Sequence, residues 1–236
     1  MRYGSFAVFA AQDDTYNGPM LPVALVLGTY LIGSIPFSYL VVRAFAGADI
    51  RQHGSRNVGA TNVARTFGKL PGIIALILDI AKGYAAVAFS RWLVGRADWP
   101  LAGTIDTSPL HSREFWIALG ALIAVLAHMF PLWLRFHGGK GVATATGAFL
   151  ALDARVVAAA VIVFLLVIVT TRFVSLASII SAASIPLFIQ FLAHGPFWRM
   201  VISIVIAIAI IAKHHSNIAR LTQGRERRMG EGKEDA

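Results

Sequence analysis

The chain has 236 residues, 57% of them hydrophobic and 14% charged, with a mean hydropathy of +0.68, whereas soluble domains carry about 25% charged residues. Cysteine is absent, which excludes disulfides, thiol nucleophiles and Cys-ligated metals. The formal net charge of +9 suits an anionic lipid surface, an anionic substrate or nucleic acid, but in an apolar chain basic residues first mark cytoplasmic loops.

Residues 1–20 contain one short apolar run, Phe6–Ala11, followed by Asp13 and Asp14. A signal peptide needs about 7–15 apolar residues behind a basic start, so this stretch reads as a tail. A helical membrane crossing needs about 20 apolar residues. Leu21–Phe45, Gly72–Val94, Phe115–Leu134, Val156–Thr171 and Phe173–Ala193 meet or approach that length, and Phe197–Ala212 is slightly short but uninterrupted. Val142–Leu152 is different: about 11 residues reach roughly 16 Å, and fusing it to the following segment would bury Asp153 and Arg155 in mid-bilayer, which is expensive. Either it extends back through the glycines at 138–141 and crosses at a thin place, or it is re-entrant.

The charges arbitrate. If all seven segments cross, fourteen Lys and Arg fall on one side and six on the other, with Lys82 inside a segment. The richer side is the cytoplasmic one. Without the short crossing, Arg172 and the basic C-terminus would lie outside. The expected architecture is therefore all-α and polytopic, with seven transmembrane helices, the N-terminus outside and the C-terminus in the cytoplasm. Residues 21–228 form one domain between tails at 1–20 and 229–236. No internal repeat is visible.

Four stretches on the expected cytoplasmic side carry more chemistry than connectors need. In the first, Gly33-Ser34-Ile35-Pro36-Phe37-Ser38, a proline kinks an apolar helix and frees a backbone carbonyl. It places Ser34 and Arg43 in the cytoplasmic half, although a packing kink with a snorkelling arginine accounts for this segment equally well. The second, Asp49–Arg65, holds Ser55, Asn57, Gly59, Thr61 and Asn62 among arginines, and small residues with amide and guanidinium donors suit phosphate oxygens. The third runs from His128-Met129-Phe130-Pro131 to Gly138-Gly139-Lys140-Gly141, then Thr144. Glycines and a lysine entering a helix follow the logic of an anion nest, but the P-loop spacing is missing, so no nucleotide site is expected. The fourth, Lys213–Leu221 and on to Glu226, sets His214 and Asn217 one helical turn apart.

Inside the second segment, Asp79 and Lys82 sit at i,i+3 and can neutralise each other. They are as consistent with a structural pair as with a functional one. Arg172, Ser175 and Ser178 share helical spacing at the start of another segment. No nucleophile elbow and no metal-ligand cluster appears, and His111 and His194 fall on the outer side without a role. A phosphate transporter would also carry polar helices, but the motifs gather on one side and no inverted repeat is present. A membrane scaffold protein would not need four such motifs.

Gly-Ser-Ile-Pro-Phe (33–37), Gly-Ser-Arg-Asn-Val-Gly-Ala-Thr-Asn (54–62), Gly-Gly-Lys-Gly-Val-Ala-Thr (138–144) and the His214/Asn217/Glu226 tail together resemble the PlsY family of bacterial acyl-phosphate:glycerol-3-phosphate acyltransferases. The resemblance runs over about residues 25 to 228. It implies a seven-helix inner-membrane enzyme with its site facing the cytoplasm. Such an enzyme moves a fatty acyl group from acyl phosphate to the sn-1 hydroxyl of glycerol 3-phosphate, the first step of phospholipid synthesis. It implies no cofactor, no metal and no nucleic acid, with membrane lipids as surroundings; the oligomeric state stays open. Ser34, Arg43, Lys140, His214 and Asn217 are then the expected catalytic residues. Ser55, Asn57, Gly59, Thr61, Asn62, Gly138, Gly139, Gly141, Thr144 and Ser178 are expected to bind substrate, and Glu226, Asp79 and Lys82 to be structural. Either His214 or a substrate phosphate oxygen takes the proton. The tail at 1–20 and the loop at 95–113 are longer than this resemblance leads one to expect.

Overall fold

The computed structural model describes residues 20–96, 99 and 112–230. The expected tails, apart from Met20, Met229 and Gly230, lie outside the described residues, as do most of the 95–113 loop and His111. Among the described residues the chain is helical throughout, with no strand. The first apolar segment is two helices, α1 (Met20–Ser34) and α2 (Phe37–Ala46), broken at Ile35–Pro36. Proline lacks the N–H that would continue the helical ladder.

The 49–65 stretch, expected as a loop, holds a short 3-10 turn at Ile50–Gln52 and the helix α3 (Ala60–Phe67). Ala60, Val63, Ala64 and Phe67 recur at i, i+3, i+4 and i+7, the spacing of one apolar helical face. Then follow α4 (Lys69–Val94), α5 (Arg113–Met129), a 3-10 turn at Leu132–Leu134, α6 (Val142–Leu152), α7 (Ala154–Thr171), α8 (Val174–Phe191), α9 (Phe197–Lys213) and α10 (His215–Thr222). Five spans are long and apolar enough to cross a membrane: Met20–Ala46, Lys69–Val94, Arg113–Leu134, Ala154–Thr171 and Val174–Phe191. The pair α9 and α10, bent by 59°, makes a sixth, and α6 is a shorter apolar helix. Large apolar side chains cover the outside; on α7, Ile162, Leu165, Leu166 and Val169 are all more than half exposed. Lipid solvates such a surface.

Helix α6 does not extend back through the glycines at 138–141. It starts at Val142, behind Gly141 at φ +83°, a left-handed conformation that favours glycine. The preceding stretch folds back into the bundle instead. A Cβ on Gly139 would strike His128 and the Val58 carbonyl. His128 lies 3.6 Å from Asp79, which is ten residues, or about 15 Å, inside α4. From that depth α6 runs beside the C-terminal half of α4. Gly83 packs on the Thr144 carbonyl and Gly147 on the Ile80 carbonyl, and Arg91 Nη1 donates to Ala151 O at 2.7 Å. An eleven-residue helix thus ends alongside the C-terminal part of a 26-residue one.

The chain breaks again at Asp153, whose carboxylate accepts from Arg155 N at 2.9 Å and caps α7. Arg155 is largely exposed, so the break keeps both charges out of the apolar interior. Helices α7 and α8 form an antiparallel pair, with Ser181 Oγ donating to Ala160 O at 2.8 Å. Small residues let α4 and α6 approach this closely, as is common where helices associate in lipid. Gly147→Ala should therefore force the pair apart and destabilise the protein by about 1–3 kcal/mol. Thermal unfolding in detergent reads this as a lowered Tm.

Candidate functional site

The end of the bundle where α7 and α9 finish and α4 and α8 begin, with the recessed loop ahead of α6, collects the polar residues. Its centre is Glu226, a buried carboxylate just beyond α10. Glu226 Oε1 accepts from Ser175 Oγ at 2.7 Å and from Asn217 Nδ2 at 2.7 Å, and Oε2 accepts from Arg220 Nε at 2.7 Å. Burial raises its pKa, but these three donors outweigh it and hold the carboxyl below its ordinary value. Because the Asn217 amide nitrogen is fixed on Glu226, its oxygen must face the other way, and there it accepts from Lys140 Nζ. Lys140 comes from the recessed loop before α6, Asn217 from α10, and Ser175 from the first turn of α8.

Lys140 has Glu226, Arg220 and Arg65 as its charged neighbours. Lys140 therefore sits among cations with one carboxylate nearby and two N–H donors left over, a setting for an anion. Beside it His214 is buried at the α9–α10 break, with Nδ1 2.8 Å from Ile210 O. A carbonyl only accepts, so Nδ1 carries the hydrogen and Nε2 keeps its lone pair. Ser178, one turn beyond Ser175, donates to Val174 O at 2.8 Å. Thr144 is fully buried, and its hydroxyl is without a hydrogen-bond partner.

The second motif forms its own structure. Asn62 is buried, and its amide is used entirely within the segment. Nδ2 donates to His53 O at 3.1 Å and Asn57 O at 3.0 Å, while Oδ1 accepts from Ser55 N at 3.0 Å and Thr66 Oγ1 at 3.3 Å. Asn62 shapes the loop and has no donor left for a ligand. Ser55 and Thr61 are exposed, and Asn57 and Gly59 are half-buried, leading into the N-terminus of α3.

At the helix break Ser34 is fully buried, donating to Leu31 O at 2.9 Å and accepting from Trp133 Nε1 at 2.9 Å. Arg43 stands apart from it. Its Nη1 donates to Gly47 O at 2.6 Å at the far end of α2, and the side chain is exposed.

Asp79 and Lys82 do form an ion pair, at 2.8 Å and almost wholly buried. Lys82 Nζ also donates to Ile35 O at 2.7 Å, and Ser38 Oγ donates to Asp79 Oδ2 at 3.0 Å. The pair thus joins α4 to the α1–α2 break, as a structural pair should. A cavity of about 10 Å³ lies between them, lined by Ser34, Ser38, Asp79, Lys82, His128 and Gly139 among others. That is about the least volume that admits one water.

Ser38, His128, Trp133 and Arg220 were not among the expected site residues, although Ser38, His128 and Arg220 stand inside the polar stretches at 33–38, 128–131 and 213–221. Trp133 left no signal. Ser38, His128 and Trp133 meet their partners across 41 to 99 residues of sequence.

Glycine, amide, lysine and arginine groups gather at one end of an apolar helical bundle, and donors of this kind suit an anion. A family model described as Glycerol-3-phosphate acyltransferase matches residues 23–224, and the chain belongs to that family. A glycerol-3-phosphate acyltransferase of Thermosynechococcus vestitus is 42% identical over 207 residues, covering 87% of this chain and 94% of the relative. One of Desulforamulus reducens is 42% identical over 212 residues, covering 89% and 96%. Among solved structures, PlsY (YgiH), an integral membrane glycerol 3-phosphate acyltransferase in its glycerol 3-phosphate form, superposes with a TM-score of 0.75. Its identity is 37%, with 89% of this chain and 96% of that one covered. Its lysophosphatidic acid form gives a TM-score of 0.73 at 35% identity, covering 89% and 95%. The protein is thus a multi-pass membrane glycerol-3-phosphate acyltransferase of the PlsY family.

Replacing Glu226 by Ala leaves Ser175, Asn217 and Arg220 without their shared acceptor. A buried donor stranded in this way costs about 1–3 kcal/mol, so Glu226→Ala should lower the Tm in detergent. An unchanged Tm would contradict the structural role of this carboxylate.

Proposed function

We propose that the acyl donor is acyl phosphate and that the acceptor is the sn-1 hydroxyl of glycerol 3-phosphate, giving lysophosphatidic acid and inorganic phosphate. The observation that carries this reading is the pairing of two polar centres at one end of the bundle. Lys140 hydrogen-bonded to Asn217 forms one, and Ser34, which lines a common cavity with Val58 of the 54–62 segment, forms the other. Two phosphate-bearing substrates need two such centres. Among the described residues no serine or threonine hydroxyl is hydrogen-bonded to a histidine, which favours direct transfer over an acyl-enzyme. The donor must then bring its own leaving group, and phosphate is a good one.

In this mechanism the glycerol hydroxyl oxygen bonds to the acyl carbonyl carbon. The bond from that carbon to the phosphate oxygen breaks, and phosphate departs with the electron pair. The hydroxyl proton passes to His214 Nε2 or to a phosphate oxygen. Ser34, Arg43 and the loop residues Ser55, Asn57, Gly59 and Thr61 attend the acyl phosphate and the charge that develops as it departs. To do so, Arg43 exchanges its bond to Gly47 O for a phosphate oxygen. Lys140, Asn217, Ser178, Thr144 and the glycines 138, 139 and 141 orient glycerol 3-phosphate.

The excess of basic residues at this end supports a cytoplasmic orientation in a bacterial inner membrane. Helix α6 is then the seventh crossing, completed by the recessed loop ahead of it, and the N-terminus lies outside.

Purified protein in detergent should convert palmitoyl phosphate and glycerol 3-phosphate to one phosphate and one lysophosphatidic acid, and should not use palmitoyl-CoA. Turnover with palmitoyl-CoA alone would overturn the donor assignment. Ser34→Ala, Lys140→Ala and Asn217→Ala should each cut turnover by about 100-fold or more in protein that still extracts folded. Full turnover in all three would sink the site assignment.

A further inference from the structure

The Asp79–Lys82–His128 cluster belongs to neither half of the proposed reaction, yet it touches both. On one side, Lys82 holds Ile35 O at 2.7 Å and Asp79 holds Ser38 at 3.0 Å. Both edges of the α1–α2 break, and Ser34 next to Ile35, are thereby anchored to α4. On the other side, His128 lies 3.6 Å from Asp79 through Nδ1 and backs the glycine loop through Nε2. A Cβ on Gly139 would overlap that nitrogen, so the residue preceding Lys140 rests on the ring.

The three ionisable groups are 1%, 4% and 7% exposed, which is costly unless they do something apolar residues cannot. Stability alone does not require them, since well-packed hydrophobic residues of similar volume replace buried ion pairs at little cost and often with gain. Directional ionic contacts fix the positions of the pieces they hold, and here those pieces are the two halves of the site.

The geometry points to a spacer. The Asp79–Lys82–His128 cluster sets the separation between the acyl-donor half of the site at Ser34 and the glycerol 3-phosphate half at Lys140. It governs the approach of hydroxyl to carbonyl and leaves the affinity for each substrate to other residues. This rests on the substrate assignment proposed above. Asp79, Lys82 and His128 are then positioning residues, and their effect belongs in kcat, since a misplacement of about 1 Å between reacting groups can cost about 100-fold.

The test is the paired variant Asp79→Leu/Lys82→Met, which removes both charges together and so strands neither charge, while taking one partner each from the Ile35 carbonyl and the Ser38 hydroxyl. The variant should still fold in detergent, with a Tm lowered by the loss of those two contacts. Its kcat should fall by about 100-fold while KM for palmitoyl phosphate and for glycerol 3-phosphate each stay within about 3-fold. An unreduced kcat in the folded variant overturns the spacer, and so does a loss confined to the KM of one substrate.

If the paired variant does not fold, Ser38→Ala and His128→Asn each remove one contact and leave the ion pair intact. Each should lower kcat by about 10-fold at unchanged KM, and unreduced kcat in both overturns the proposal. Failure of the donor assignment shows separately, as unaltered protein that does not turn over palmitoyl phosphate. The same variants are then compared with palmitoyl-CoA as donor, and the same two outcomes decide.

Discussion

Pro36 interrupts the first crossing, and the Ile35 carbonyl at the break accepts from Phe37 N at 3.1 Å in place of a helical i+4 bond. Backbone polar groups away from water must be satisfied internally. Here the second donor is the ammonium of Lys82, a residue that needs its own counter-charge at that depth. Asp79 supplies it, and Asp79 in turn is steadied by Ser38 and faced by His128. One proline thus commits three helices to a common polar contact. Since His128 backs the glycine loop, the same contact fixes where that loop lies. Ser34, the cavity and the start of α6 all take their places from it.

The site at the C-terminal end is built on a different rule. A single carboxylate, Glu226, collects three donors and uses the amide of Asn217 to pass its direction to Lys140. An amide has a donor end and an acceptor end, so fixing one points the other. Lys140 then has Glu226, Arg220 and Arg65 as its charged neighbours, a setting consistent with the phosphate role proposed for it.

Much of this was legible in the sequence. The apolar runs gave five of the crossings to within a few residues, because lipid imposes length and composition directly. Lys140, His214, Asn217 and Glu226 were marked by polar chemistry at the ends of apolar segments. Helix α3 was hidden because its apolar face of Ala60, Val63, Ala64 and Phe67 is diluted by Thr, Asn and Arg. The bounds of α6 were read as Val142–Leu152, but whether the glycines ahead of it prolong the helix stayed open, because nothing local decides it; that is decided by His128 and Val58, far away in sequence. Asn62 looked like a ligand donor and proved to be an internal brace, since hydrogen-bond partners such as the His53 and Asn57 carbonyls cannot be read from residue type. Arg43 lies at the far end of α2 from Ser34, because a break in the helix separates what a continuous segment would have kept on one rod.

The recess ahead of α6 has a consequence for traffic. An eleven-residue helix that begins halfway down the bundle leaves the other half of that crossing to a glycine-rich loop, and this loop is the polar side of the bundle. For the substrates proposed above, glycerol 3-phosphate would descend along the backbone N–H groups and cations of this loop, while a fatty chain would enter sideways between apolar helices. The two reactants would then reach the site from different directions.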